Sequence, residues 1–230
     1  DLLYAVTFFR IDPLWIIDLS DPANPKKVSE LEIPGYSTYI QPLDGRLVTI
    51  GLDNTAGWRT AVQLFDVQNP AKPALLSKVI LGEQYSASEA NYDEKAFGVL
   101  PEDKLLLVPY STSTTNGYFQ GVHLIDLERD TLRKRGAIEH ELQPRRATLH
   151  RNRILSVSGV ELLSVDATNR DRPLVVSTTE LSWSADRVFF QGSHLVAISS
   201  QWNSPVSVSV APADDSGKVL KQVSLSNAPF

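Results

Sequence analysis

Leu14-Trp15-Ile16-Ile17-Asp18-Leu19-Ser20-Asp21-Pro22-Ala23-Asn24-Pro25 is the stretch on which the reading of this chain turns. Residues 14–19 form an apolar run rich in β-branched and aromatic side chains, the composition of a buried strand, and residues 20–25 are turn formers that cannot extend a ladder. The pair returns in altered form. Leu64-Phe65-Asp66-Val67-Gln68-Asn69-Pro70-Ala71-Lys72-Pro73 copies it closely. His123-Leu124-Ile125-Asp126-Leu127-Glu128-Arg129-Asp130 and Leu163-Ser164-Val165-Asp166-Ala167-Thr168-Asn169-Arg170-Asp171-Arg172-Pro173 are looser, and Val206-Ser207-Val208-Ser209-Val210-Ala211-Pro212 has lost the Asp. Aligned on the Asp, with Ser209 in its place in the last copy, the five copies stand 48, 60, 40 and 43 residues apart.

Such spacings imply one supersecondary unit per copy, and a unit of roughly 40–50 residues holding several short strands is what a propeller blade requires. The expected fold is therefore all-β, a single β-propeller fragment over residues 1–230. It holds about four complete four-stranded blades plus one partial blade, and is part of a larger ring of about six to eight blades. Apolar alternation places the strands. The partial blade, residues 1–35, has strands at 2–8, 14–18 and 28–33 and no innermost strand. The second, 36–82, has strands at 36–40, 46–51, 60–66 and 75–81. The third, 83–140, opens on the polar cluster 83–95, continues through strands at 96–99, 104–109, 121–126 and 132–138, and carries a Ser/Thr/Asn-rich insertion at 111–117. The fourth, 141–181, has strands at 146–149, 153–158, 161–166 and 174–181; the fifth, 182–230, at 187–190, 194–199, 206–210 and 219–225. The recurring Asp is expected to accept backbone N–H groups of the turn that follows it, which explains an acid repeated around a ring better than repeated active sites do.

Composition bounds the function. With 42% hydrophobic and 21% charged residues the chain buries a sizeable core. A net charge of −5 gives no general attraction to nucleic acid or to an anionic membrane. No cysteine is present, so neither a disulfide framework nor a thiolate metal site is available. No apolar stretch approaches the ~18 residues of a membrane span. The chain starts at Asp1, which reads as a piece of a longer product.

The phrases Asp18-Leu19-Ser20-Asp21-Pro22-Ala23-Asn24-Pro25, Glu32-Ile33-Pro34-Gly35-Tyr36-Ser37-Thr38-Tyr39 and Ser88-Glu89-Ala90-Asn91-Tyr92-Asp93-Glu94-Lys95-Ala96-Phe97 resemble a bacterial and archaeal secreted β-propeller domain family with LVIVD-like repeats. The resemblance is strong over residues 1–110 and continues beyond only as blade rhythm. Glu94 stands where members of that family often carry a His. The resemblance implies a domain about twice this length, with a preceding half bearing a secretion or lipoprotein signal, and so an extracytoplasmic address: secreted, periplasmic or on the cell surface.

In a propeller, loops from the outer strand of one blade to the inner strand of the next converge at the channel mouth. That rule brings Tyr36, Glu89, Tyr92, Asp93, Lys95, Arg145, Arg146, Trp183, Asp186 and Arg187 around one opening, a mixture of aromatic surface and both charge signs suited to a polar ligand or a partner's loop. The other reading is that these groups pair with one another and pin neighbouring blades together. Glu89, Asp93 and Glu94 are oxygen donors that suit calcium, although the alternation of a calcium loop is missing. No catalytic residue is assigned. Ser88 with Asp93 and His123, His140, His150 or His194 makes a triad on paper, but Ser88 lies in no nucleophile elbow. The expected function is an extracytoplasmic binding module, with the propeller domain of a hydrolase as the alternative. Because the first blade begins at its second strand, the ring is expected to close only with a further segment, the missing half of the same propeller.

Overall fold

The computed structural model describes residues 1–7, 13–83, 85–115, 117–182, 185–200 and 205–225. They form two compact units, Asp1–Leu181 and Ser182–Phe230.

The first unit is a series of antiparallel meanders. Its first sheet has three strands, β1 (Leu2–Val6), β2 (Leu14–Asp18) and β3 (Lys26–Leu31). The second has four in chain order, β4 (Tyr36–Leu43), β5 (Arg46–Asp53), β6 (Arg59–Asp66) and β7 (Ala74–Ile80). The third contains β8 (Ser86–Ala87), β9 (Gly98–Leu100), β10 (Leu105–Thr114), β11 (Gly117–Leu127) and β12 (Leu132–Glu139). The fourth contains β13 (Pro144–His150), β14 (Arg153–Ser158), β15 (Glu161–Asp166) and β16 (Leu174–Glu180). No membrane-length helix occurs among the described residues.

The middle strands of the second and third sheets bury both faces, and the period of two along a strand sends successive side chains into different cores. In β5, Leu47 packs with Leu14 and Ile16 of the first sheet and with Ile33 just beyond it, whereas Val48 and Ile50 pack with Leu106, Val108 and Ile125 of the third. Phe65 and Leu64 of β6 divide in the same way. In the third sheet Leu105, Leu107, Val122 and Leu124 turn the other way, onto Ile154, Leu163 and Val165 of the fourth. Each sheet is thus cemented to the next by a continuous apolar layer, in which a fully buried Leu or Ile contributes roughly 2 kcal/mol.

The recurring Asp residues end β2, β6 and β15 and lie on β11, so these four strands are equivalent. Asp18, Asp66 and Asp166 each accept the N–H two residues on, from Ser20, Gln68 and Thr168 at 2.8, 2.9 and 2.9 Å. Asp126 does not; its carboxylate takes Arg135 and Arg170 instead. The equivalence leaves the first sheet, among the described residues, without the strand that β4, β8 with β9, and β13 provide elsewhere.

Two expectations need correction. Residues 111–114 are no loop insertion: they extend β10, and residues 117–120 extend β11, in a ladder running from Ser111↔Gln120 to Thr114↔Gly117. Ser111 and Thr112 are buried under β8, where Thr112 donates to the Tyr85 carbonyl at 2.7 Å, and only beyond them does the hairpin reach solvent, with Ser113 exposed. The strand expected at 96–99 starts later, at Gly98, since Glu94–Ala96 is a 3₁₀ turn capped by Asp93.

The second unit is one meander of β17 (Arg187–Gln191), β18 (His194–Ser199), β19 (Val206–Pro212) and β20 (Lys221–Leu225). Ser209, where the earlier copies carry Asp, is an ordinary ladder residue between Ala197 and Gln222.

Candidate functional site

The inner strand of the third sheet is interrupted. β8 pairs with Ser111 and Thr112 at one end of β10, β9 with Leu105 to Leu107 at the other, and residues 88–97 make an excursion between them. The excursion is built as a rigid loop. Ser88 caps the 3₁₀ turn Glu89–Asn91 by accepting the Ala90 N–H at 3.1 Å, and its hydroxyl donates to the Pro109 carbonyl. Asp93 caps the next turn by accepting the Lys95 N–H at 3.0 Å. Ala90, Ala96 and Phe97 are buried in the core between the second and third sheets, with Phe97 edge-on to Tyr39 at 6.4 Å between ring centroids. Between these anchors Tyr92 stands 86% exposed.

From the fourth sheet, two successive arginines meet this loop. Neighbours on a regular strand point to opposite faces. At the start of β13, however, Pro144 pairs with Ser158 and Arg146 with Val157, which leaves Arg145 as the extra residue of a bulge. A bulge of this kind re-aims side chains. Arg145 reaches Glu89 at 2.6 Å and Arg146 reaches Asp93 at 2.8 Å. The Arg146 hydrogen bond, helped by the Lys95 N–H, holds the Asp93 carboxyl below its ordinary range. On the other side Thr38 Oγ1 of β4 lies 3.4 Å from Asn91 Oδ1. The loop therefore touches the second, third and fourth sheets at once.

Of the residues expected around one opening, Glu89, Asp93, Arg145 and Arg146 come together and flank Tyr92. Tyr36 is a strand residue of β4 whose ring lies 6.1 Å from that of Trp58, while the Glu94 and Lys95 side chains are exposed. Asp186 and Arg187 belong to the second unit, where Asp186 accepts the Ser200 N–H and hydroxyl at 2.5 Å and Arg187 opens β17. Trp183 lies outside the described residues. Glu89, Asp93 and Glu94 do not converge on a point. Among the described residues no three His, Cys, Asp or Glu side chains come close enough to hold a metal ion.

The triad drawn on Ser88 does not form, because Ser88 is buried and committed to the Ala90 N–H and the Pro109 carbonyl, and Asp93 to Arg146. A different array exists that no motif announces. His140 Nδ1 lies 2.9 Å from Glu161 Oε1, and its Nε2 lies 2.7 Å from Ser156 Oγ. Burial holds the His140 pKa below its ordinary value although Glu161 pulls it upward. His140 and Glu161 border a depression of about 350 Å³ with Leu163 and Val175. Ser156 does not border it and has 0% exposure, so its hydroxyl meets no substrate. The signal in the sequence was only a Ser and a Glu on neighbouring strands and a His at a strand end.

A family model described as a beta propeller domain matches residues 1–153 of this 230-residue chain. The chain belongs to the β-propeller domain family. Over 92 residues, 40% of its length, the propeller is 37% identical to an uncharacterized protein of Methanocaldococcus jannaschii and 37% identical to an uncharacterized protein of Archaeoglobus fulgidus. The matched stretch spans 15% and 14% of those two proteins. A solved protein from Lactobacillus plantarum aligns over 97% of the propeller and 68% of its own chain, with 14% identity and a TM-score of 0.47.

Proposed function

We propose that this propeller is an extracytoplasmic binding module that engages a polar ligand or a loop of a partner protein through Tyr92 and the charged groups beside it. The observation that carries this reading is the exposure of Tyr92, 86%, on a loop whose backbone is fixed by two caps, three buried side chains and two ion pairs. An aromatic side chain held out on a preorganised loop loses little entropy on binding, and such residues dominate interface energetics. The half-exposed Arg145 and Arg146 beside it offer planar donors to a carboxylate or a main-chain carbonyl. The secreted, LVIVD-like character rests on the sequence phrases alone. The test is a comparison of wild type with Tyr92→Ala on glycan and peptide arrays. Signals lost in the variant at unchanged melting temperature support the reading, and identical signals from the two proteins sink it.

The hydrolase alternative is favoured by one observation, the Ser156-His140-Glu161 array. Its burial argues for a structural role, so an active-site serine probe of the fluorophosphonate type is expected to leave Ser156 unlabelled. Labelling abolished by His140→Phe would reverse the order of the two readings.

The partner for the free side of β1 is proposed to be a strand from the missing half of the same propeller. Leu2 and Leu3 are exposed there, and a strand laid antiparallel along β1 would give the first sheet the position that β4 and β13 occupy in theirs.

A further inference from the structure

We infer that His140 regulates the Tyr92 surface: its neutral ring locks the turn that presents Arg145 and Arg146, and protonation of that ring loosens both ion pairs together. Its biological meaning rests on the binding reading above, whereas its mechanics do not.

Residues 140–143 join β12 to β13 and are held from three strands. The His140 N–H donates to the Gln120 carbonyl of β11 at 3.0 Å, and the Gln120 side-chain amide donates back to the Glu141 carbonyl. The Glu141 N–H donates to Glu161 Oε1 of β15 at 2.9 Å. The His140 ring then spans Glu161 of β15 and Ser156 of β14. Pro144, buried, follows at once, and the bulge at Arg145 comes next. The clamp therefore sits directly upstream of the irregularity that aims the two arginines at Glu89 and Asp93. A slip of one residue there moves the bulge and reverses the face each arginine occupies.

The clamp is selective for the neutral ring. Ionised Glu161 only accepts, so Nδ1 carries the hydrogen; Nε2 is then an acceptor, and Ser156 donates to it. A proton on Nε2 turns that nitrogen into a donor. Ser156 Oγ must then accept, and its own hydrogen loses its acceptor at a position without solvent. The groups around the ring are Glu161 from β15, Ser156 from β14 and Gln120 from β11, with Glu139 and Glu141 as chain neighbours and Glu180 opposite Glu161 in the ladder. The acids favour the imidazolium. The buried ring and the stranded serine hydrogen oppose it, and the lowered pKa shows burial winning.

The test is amide hydrogen exchange, corrected for intrinsic rates, on wild type and His140→Phe at about pH 7.5 and about pH 5. In wild type, exchange over residues 140–146 and 88–93 is expected to rise together by roughly fivefold or more at the lower pH while β5 stays constant. In His140→Phe the step is expected to vanish. A step that persists in the variant, or one in 140–146 without 88–93, overturns the inference. Should the variant not fold, an NMR titration of the wild-type His140 ring decides: its midpoint must coincide with that of the exchange step, and a clear separation of the two overturns the inference as well. No ligand enters these measurements, so their failure leaves Tyr92 binding untouched, and the failure of binding leaves this coupling standing.

Discussion

Arg46 ties the second sheet to Asp130: its Nη2 lies 2.6 Å from Asp130 Oδ1 in the turn between β11 and β12, while its Nη1 stays 2.8 Å from Asp66 Oδ1 at the end of β6. Arg135 repeats the device one sheet further on, holding Asp126 of its own sheet and Asp171, 2.6 Å away, of the fourth. The Arg46 side chain is only 10% exposed and fills the seam between the sheets, whereas Asp66 and Asp130 are 33% and 54% exposed and stay hydrated when it is lost, so the loss is chiefly of packing. Arg46→Ala is expected to cost about 1–2 kcal/mol in urea unfolding, most of it from the lost packing of the buried stem. Arg146→Ala, at a half-exposed pair, is expected to cost under about 1 kcal/mol. Equal losses at the two sites would show that the seam is wetter than its geometry implies.

Acid should weaken the fold through His123. Burial pushes the His123 pKa down to about 4, with Lys134 acting in the same direction and the Arg135 main chain opposing. The unfolded chain then binds more protons than the folded one between about pH 6.5 and about pH 4. Stability from this group is complete above pH 6.5 and is lost as pH falls through that window, by roughly 3 kcal/mol in all. Unfolding of His123→Leu as a function of pH is expected to be flatter across the window, and a slope equal to wild type would reassign the effect.

Gly51 faces the backbone of β4 at the bulge between Ser37 and Tyr39. A Cβ placed on it would lie 2.6 Å from the Ser37 Cα and closer still to the Tyr36 carbonyl oxygen, and main chain cannot swing aside as a flexible side chain does. Gly51→Ala is expected to cost more than about 3 kcal/mol or to prevent folding, read by circular dichroism. At Gly192, where nothing approaches within 4 Å, alanine meets no steric obstacle and the positive φ of 62° is the only penalty.

Calcium addresses the acidic loop. Arg145 and Arg146 already neutralise Glu89 and Asp93, so raising calcium from micromolar to millimolar is expected to leave the melting temperature unchanged. A rise removed by Asp93→Ala would install a cation there in place of the arginines.

What the sequence disclosed follows from where its signals are local. β2, β14, β15 and β18 stand at their expected residues, since an apolar run closed by an Asx or Ser/Thr turn is complete within ten residues. The Asp turns are legible for the same reason, and Asp126 departs because Arg135 and Arg170, nine and 44 residues away, outbid its turn. Polar residues at 83–95 marked the candidate site, but not its form: two 3₁₀ turns rest on Ser88 and Asp93 caps that look like ordinary loop polarity in sequence. The partners of Glu89 and Asp93 lie 56 and 53 residues on, brought there by a bulge that leaves no trace in composition. The Ser156-His140-Glu161 array was invisible because its members acquire their relation only when β14 and β15 pair.

Leu64 and Phe65 are joined by a peptide bond and yet belong to different apolar layers, Leu64 to the one shared with the third sheet and Phe65 to the one shared with the first. Damage to this protein should therefore travel sideways through the sheets and not along the strand. Truncating either residue is expected to loosen one neighbouring sheet and spare the other, and the double variant is expected to show nearly additive losses, a rare outcome for adjacent buried residues. Evolution would then be free to retune the two seams of a single sheet independently, by substitutions one position apart.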